Sequence, residues 1–475
     1  MSQGQTPWFT RRQLLRAGGG GALALGALGP LGKALASADR LRRPDSLPDP
    51  RRPAGEPTNA LPFDHLVILM MENHSFDCYF GMLPRLGQPA ADGFTFDKSG
   101  APANRNPLNG GYVLPYRATS ECQGSVTQNW NATHQQIDGG RMDGFAETST
   151  QAMVYWTDED LPFYYSLAST FTLANRWFCS APCQTYPNRR FLMAGTAYGN
   201  ISTDEESLFD PPPPNGTIFD RLSAHGLTWR NYFTDLPSSG IISSVPKKYP
   251  THLAPIAEFF TDCAAGTLPA VSLVDPEFGV TGEVGGPLAS LGIPGAAKAG
   301  GLVGAQGGSE ENPQDIQIGQ ATAAKVIDAV LSSPAWPRTL LVWTYDEHGG
   351  YYDHVPPPAA IKPDAIPPKL GPDDVPGGYD LYGPRVPTVV VSPYSRPRAV
   401  TNVVHDHTSV LATIEAKWNL PALTYRDANA ATLADFLDTR KPRMLEPPRL
   451  TPPGSLVPGE LNCSTDKPNL PVHHG

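Results

Sequence analysis

No Cys-x-x-Cys pair occurs in the chain, although it holds six cysteines, at 78, 122, 179, 183, 263 and 463. A thiolate zinc cluster is therefore not expected. In an exported chain six cysteines permit disulfides, in fifteen pairings among which sequence does not choose. Basic charge is scarce as well. Residues 1–38 contain Arg11, Arg12, Arg16, Lys33 and no acid; beyond them 32 basic residues face 46 acidic ones, a net charge of −14. A broad nucleic-acid-binding face is thereby excluded. No apolar run approaches the ~20 residues of a membrane span, and no helical pattern joins a Lys/Arg-rich face to a Trp/Leu face. Proline (52) and glycine (46) are abundant, together more than a fifth of the 475 residues. They imply long, stiff, irregular connections. Hydrophobic residues, at 40%, still suffice for a sizeable core.

The amino terminus reads as an address. Arg11-Arg12, a weakly hydrophobic Gly/Ala/Leu run and the small-residue end Ala36-Ser37-Ala38 predict a twin-arginine export signal over 1–38. The expected destination is periplasmic or secreted. Residues 39–60 are charged, proline-rich and non-periodic, and are expected as a disordered leader. The catalytic domain is expected over 61–440, followed by a proline-rich tail over 441–475.

Four apolar runs too short for most helices read as buried strands: "HLVILMMEN", "LPAVSLVDP", "TLLVWTYDE" and "VPTVVVSPYS". Helical patterns over 320–333 and 406–420 lie between or after them. The alternation predicts an α/β fold with a largely parallel central sheet flanked by helices.

Parallel strands deliver functional groups at their carboxyl ends. One run ends in Glu72-Asn73 and another in Asp346-Glu347. If those strands are neighbours, the four side chains converge on one divalent cation. Oxygen donors suit Ca²⁺, Mg²⁺ or Mn²⁺, and an added histidine would admit Zn²⁺. The alternative for "MENHSFDCYFG" is a loop whose polar side chains satisfy turn amides. In "APCQTYPNRRFLMAGTA", Pro187 fits a helix's first turn, which places Thr185 at or beside the cap. A hydroxyl there meets free amides and the positive dipole end, with Asn188 and Arg189 as further phosphate donors. Thr185 can equally be an ordinary N-cap. Five histidines stand in dense polar contexts: His134, His348, His354, His405 and His407. In "VVHDHTS", Asp406 or Thr408 can instead cap the helix that follows.

Together these pieces resemble the bacterial phosphoesterase family, which contains secreted phosphatidylcholine-type phospholipases C, a class of acid phosphatases and the plant non-specific phospholipases C. The matching motifs, in family order, are "MMENHSFDCYFG", "MDGF", "TYPNR", "YDEHGGYYDHVPPP" and "DHTSVLATIE". The resemblance implies an alkaline phosphatase-like sandwich, a single metal centre and a covalent phospho-enzyme. It implies Glu72, Asn73, Asp346 and Glu347 around the metal, Thr185 as nucleophile, and active-site histidines at His134, His354 and His407, with His405 as the rival of His407. Gly349-Gly350 would turn the chain so that His354 reaches the phosphate, with Asp353 orienting it. Asn312, in "SEENPQDIQIGQ", stands where the family commonly has histidine; it donates to phosphate but shuttles no proton. The Cys-x-Pro-x-Arg pattern of sulfatase nucleophiles is missing. The expected activity is phospholipase C, with acid phosphatase and an inactive lipid- or phosphate-binding protein as alternatives. The expected partner is a phospholipid or small phosphate ester, with peripheral membrane contact and no nucleic acid.

Overall fold

Continuous apolar runs become strands with no solvent-facing side. The computed structural model describes residues 41–124, 126–279, 307–454 and 470–474. The expected export signal and most of the Gly/Ala-rich excursion after 278 lie outside them. The chain divides into Met1–Arg42, almost wholly outside the described residues, and Arg43–Gly475, the unit described below.

One large sheet of eight strands organises this unit. In chain order these are β1 (His65–Met71), β2 (Thr172–Ala174), β3 (Trp229–Phe233), β4 (Leu253–Pro255), β5 (Val271–Val274), β6 (Thr339–Tyr345), β7 (Thr388–Val391) and β8 (Val400–Thr401). Their spatial order is β8-β2-β7-β6-β1-β5-β3-β4. Only β7 runs antiparallel to its neighbours; every other pairing is parallel. The four predicted runs are β1, β5, β6 and β7, and the first three lie side by side at the centre. All seven residues of β6 are buried, as are Leu66 to Met71 of β1. This is the largely parallel α/β sheet that the sequence predicts.

Register positions the chemistry. Met71 of β1 pairs with Tyr345 of β6, so Glu72 and Asp346 leave adjacent strands at the same level. Leu69 pairs with Val274 of β5, which brings Asp275 out beside them.

Five helices matter to the site: α1 (Phe76–Phe80), α2 (Trp130–Ile137), α3 (Thr185–Ala194), α4 (Ile316–Leu331) and α5 (Thr408–Trp418). The helix predicted from residue 320 starts earlier because the Asp315 side chain accepts the Gln317 amide and caps α4. At the start of α5 neither Asp406 nor Thr408 caps. Asp406 instead accepts the Thr408 and Ser180 hydroxyls, at 2.5 and 2.8 Å.

Residues 43–60 differ from a disordered leader. They contain no helix or strand, but Asn419 at the end of α5 donates to the carbonyls of Asp49, Arg52 and Pro53 and accepts the Asp49 amide. Lys417 holds Thr58 through both main chain and side chain. The described parts of the tail wrap the surface: Met444 accepts from the Trp336 indole, and His473 bridges to Tyr112. Cys122 is disulfide-bonded, and Cys78, Cys179, Cys183 and Cys263 are buried free thiols.

Candidate active site

The strand ends and the α3 helix meet. Thr185 is the first residue of α3, with Gln184 at the cap position, so its hydroxyl is not spent on capping. It is 7% exposed and donates to Asn73 Oδ1 at 3.3 Å. Asn73 holds a left-handed backbone (φ 65°) that turns the chain sharply after β1. Its amide donates to Asp346 Oδ1 at 3.1 Å, and the Glu347 amide donates to the same oxygen at 2.7 Å. The Glu347 carboxylate accepts from Gly349 at 2.7 Å. Gly349 takes φ 65°, and a Cβ there would lie 1.9 Å from the Asn73 carbonyl oxygen, so only glycine permits this close crossing. Glu72, Asn73, Thr185, Asp346 and Glu347 are thus brought to one place.

The cluster is oxygen-rich, buried and short of donors. Glu72 Oε2 and Glu347 Oε1 are buried with no hydrogen-bond partner among the described residues. Burial raises the Glu72 carboxyl well above its ordinary value, Glu311 and Asp346 raise it further, and Arg189 opposes them. Burial and then Asp346 do the same to Glu347. Burial raises Glu311 too, and its neighbours Asp346, Glu72 and Arg189 tie it to this cluster. Orphaned carboxylate oxygens among mutually repelling acids fit a hard divalent cation, which Glu72, Asn73, Asp346 and Glu347 would hold. Among the described residues, the acid and histidine trio whose ligand atoms lie within 4.8 Å of one another is a different one, Asp77, Asp353 and His354. That trio already has its cation. The Arg385 guanidinium lies 2.6 Å from Asp353 and 3.1 Å from Asp77, all three side chains fully buried.

Several expected residues have other partners. Arg189 Nε donates to Asp346 at 3.0 Å and Nη2 reaches Glu72 at 3.4 Å, so its guanidinium offsets the acid cluster. Asn188 makes no outward-facing contact: its carbonyl accepts from Ala181 and its amide donates to Ala181, Cys183 and Gln184. It staples the loop that aims α3, which differs from a phosphate donor. Asn312 accepts the Tyr351 hydroxyl at 2.7 Å, which leaves its amide N–H groups for a ligand. His407 meets the Asp346 carbonyl through Nε2 at 2.6 Å and the Trp177 indole through Nδ1 at 3.4 Å. Burial lowers its pKa, so it is a neutral ring fixed behind the cluster, not a proton donor facing substrate. His405 is held by Ser409 and Asp435 and stacks on Trp177. His134 gives Nδ1 to the Trp130 carbonyl and lines a groove of about 650 Å³ with Thr127, Gln135, Asp373 and Val375. It is not bonded to the acid cluster. The link between them is Gln136, two residues on, which accepts from His348 beside Glu347.

Asp77, not Asp353, orients His354. The imidazole Nδ1 lies 2.7 Å from Asp77 and Nε2 lies 3.5 Å from Asp92, while Asp353 pairs with Arg385. Burial alone would lower the His354 pKa, but Asp77 and then Asp92 outweigh it and raise the value to about 10. Its stabilising contribution is therefore complete below about 6.5 and disappears as pH climbs through about 10. The Asp77→Asn variant is expected to shift the His354 titration, followed by NMR, back toward the ordinary imidazole range. An unchanged titration would remove Asp77 from this role.

Sequence reasoning missed Glu310 and Glu311, although "SEEN" shows two adjacent acids. Glu310 is buried and accepts hydroxyls from Tyr79, Tyr164 and Tyr345, each at 2.5 Å. Burial raises its pKa to about 7 against the pull of those hydroxyls. Its contribution to stability is full below about 4.5 and lost as pH rises through about 7. Over that window the loss is on the order of 3 kcal/mol at 1.36 kcal/mol per pKa unit. Glu310→Gln is expected to flatten the slope of unfolding free energy between pH 5 and 7.5, measured with denaturant. Parallel slopes in the two proteins would refute the assignment.

A helix-borne hydroxyl opposite clustered carboxylates at parallel strand ends suits the hydrolysis of phosphoric esters. The sequence model of the Phosphoesterase family matches residues 63–421, and the chain belongs to that family. It is a phosphoric ester hydrolase. Among its relatives, non-specific phospholipase C6 of Arabidopsis thaliana is 30% identical over 406 residues, covering 79% of this chain and 72% of that one. Phospholipase C A of Mycobacterium tuberculosis (strain ATCC 25618 / H37Rv) is 27% identical over 454 residues, 84% of this chain and 81% of that one. Among solved structures, the phosphonate monoester hydrolase of Agrobacterium radiobacter aligns with a TM-score of 0.36 and 12% identity, over 80% of this chain and 78% of that chain.

Proposed function

We propose that this protein is an exported phospholipase C that cleaves glycerophospholipids to diacylglycerol and a phosphorylated head group through a phosphothreonine at Thr185. The observation that carries this reading is the Thr185 hydroxyl, 3.3 Å from Asn73 Oδ1 at the edge of a carboxylate cluster with two orphaned oxygens. The name shared by the relatives above supports the diester substrate.

In this mechanism Asn73 orients the Thr185 hydroxyl. Its oxygen attacks phosphorus in line, the bond from phosphorus to the glycerol oxygen breaks, and the hydroxyl proton passes to solvent water, from which His354 regains the proton it gives up. A divalent cation bound by the carboxylates supplies charge neutralisation and lowers the pKa of a bound hydroxyl. The amino end of α3 adds its dipole to the phosphoryl oxygens. The departing glycerol oxygen needs a proton. With Asn312 in place of the family's histidine, His354 is the donor we assign. An imidazolium of pKa about 10 is still a stronger acid than an alcohol, so transfer to the leaving alkoxide runs downhill. Water then attacks the phosphothreonine, restoring the Thr185 hydroxyl and releasing the phosphorylated head group.

The test is one panel: phosphatidylcholine, phosphocholine esters and p-nitrophenyl phosphate, each with chelator and with metal restored. Diester turnover that the chelator abolishes is expected. Turnover of the monoester alone would make the protein an acid phosphatase, and inertness toward every ester with metal bound would leave a binding protein. Export is tested by fusing residues 1–38 to a reporter that folds before transport. A reporter retained in the cytoplasm would remove export from the proposal.

A further inference from the structure

Large apolar side chains stand exposed at few places among the described residues, and three of these gather around one excursion. Phe209 is 58% exposed, Val375 38% and Tyr425 36%. Val375 lies on the excursion 362–379 itself. Tyr425 donates its amide to Pro363 at the start of it, at 2.9 Å. Phe209 is joined to it through Lys369, whose ammonium lies 3.1 Å from Asp210 and whose amide donates to Gly199.

These segments border the site. Thr203 accepts the Tyr186 amide at 3.1 Å and donates to the Gln184 side chain at 3.0 Å, which laces the loop carrying Phe209 onto the first turn of α3. On the other side, Val375 receives the Trp130 indole at 2.8 Å and donates to Asn131, both on α2, and lines the groove with His134. Prolines crowd the same loops, with exposed Pro211, Pro212, Pro214, Pro367, Pro372 and Pro376. Each lacks an N–H, so it enters a poorly hydrated layer without stranding a donor.

Resting on the phospholipid-hydrolase reading above, we propose that Phe209, Val375 and the proline-rich tips around them dock the protein on a zwitterionic lipid surface. Charge selects that partner. Asp204, Glu205, Glu206 and Asp210 lie on the same loop as Phe209, and Asp364, Asp373, Asp374 and Asp380 lie on or beside the excursion that carries Val375. The local lysines, Lys362 and Lys369, are each paired with an acid, Asp380 and Asp210. A net acidic rim repels anionic head groups, whereas choline-type head groups present their ammonium outward to it. The apolar tips then supply the insertion that a basic amphipathic helix supplies elsewhere.

Co-sedimentation of the full chain with phosphatidylcholine vesicles tests this without requiring turnover. Wild-type protein is expected to sediment, and less of it when phosphatidylglycerol is added. Phe209→Asp is expected to bind about tenfold more weakly, the loss of one inserted aromatic side chain. Its kcat/KM is expected to fall equally on vesicles and to stay at wild type on a monomeric short-chain phosphatidylcholine. Equal sedimentation of the two proteins, or tighter binding to anionic vesicles, would overturn the docking face while leaving the enzyme assignment intact. Vesicle binding through Phe209 with no ester cleaved would overturn the enzyme assignment instead. Binding to neither surface would leave the apolar tips to a protein partner and end the proposal.

Discussion

Thr185→Ala is expected to fold with a melting temperature near wild type and to lose turnover by a factor on the order of 10⁴ or more, as loss of a covalent nucleophile does. The two halves of that expectation have separate causes. The hydroxyl makes one long hydrogen bond, 3.3 Å to Asn73, and Thr185 follows the cap position instead of filling it, so truncation removes little that holds α3 in place. Chemistry loses the atom that forms the bond to phosphorus, and the oxygens nearby are carboxylate or amide groups serving other ends. Thr185→Ser is the companion variant, expected to keep substantial activity because the oxygen and its partner remain. Isolation of a phosphorylated peptide spanning residue 185 from quenched wild-type reactions completes the test. Residual activity of the alanine variant above about a hundredth of wild type would place the nucleophile elsewhere.

Removing metal with a chelator is expected to abolish turnover and lower the melting temperature, and the melting temperature of Glu72→Gln is expected to respond far less than that of wild type. Burial and neighbouring acids raise the Glu72 carboxyl in the cation-free chain. A carboxyl raised in the folded state costs stability as pH rises past its ordinary value, so the ionised cluster weakens the metal-free protein at neutral pH. Glutamine cannot ionise. Metal-free Glu72→Gln is therefore expected to melt higher than metal-free wild type. A bound ion stabilises wild type by about 4 kcal/mol at a thousand times its Kd, and that gain is expected to shrink sharply in the variant. Melts with chelator and with Ca²⁺, Mg²⁺, Mn²⁺ or Zn²⁺ restored read both effects. Identical metal-induced shifts in the two proteins would show that Glu72 does not bind the ion.

The strands and their polar ends were legible in the sequence because a strand buried on both faces must be a continuous apolar run. The first charged residue after such a run marks where it stops. Glu72 and Asp346 could be found that way. What the runs did not reveal is which polar group meets which. Asn188 and Arg189 read as phosphate donors because residues three and four on from Thr185 share its helix face. Yet both are taken up by protein partners, Asn188 by the loop before α3 and Arg189 by Asp346 and Glu72. His407 lies in a polar motif, but its ring meets a main-chain carbonyl, and no residue type announces a partner of that kind. Asp353 is adjacent to His354 in sequence, whereas the carboxylate that holds the ring, Asp77, is 277 residues away. Glu310 escaped because its three tyrosine partners come from three separate segments.

The pairing of Met71 with Tyr345 has a consequence for how this enzyme tolerates change. Side chains alternate between the two faces of a strand, so one codon gained or lost within 66–71 would swing Glu72 to the opposite side of the sheet. The apolar sequence there, Leu-Val-Ile-Leu-Met-Met, would fill the interior almost equally well after such a slip. Insertions and deletions in this stretch should therefore yield proteins that still fold yet have no activity, while the proline-rich loops absorb length changes freely. The distance between the acids is kept by greasy residues that never meet a substrate.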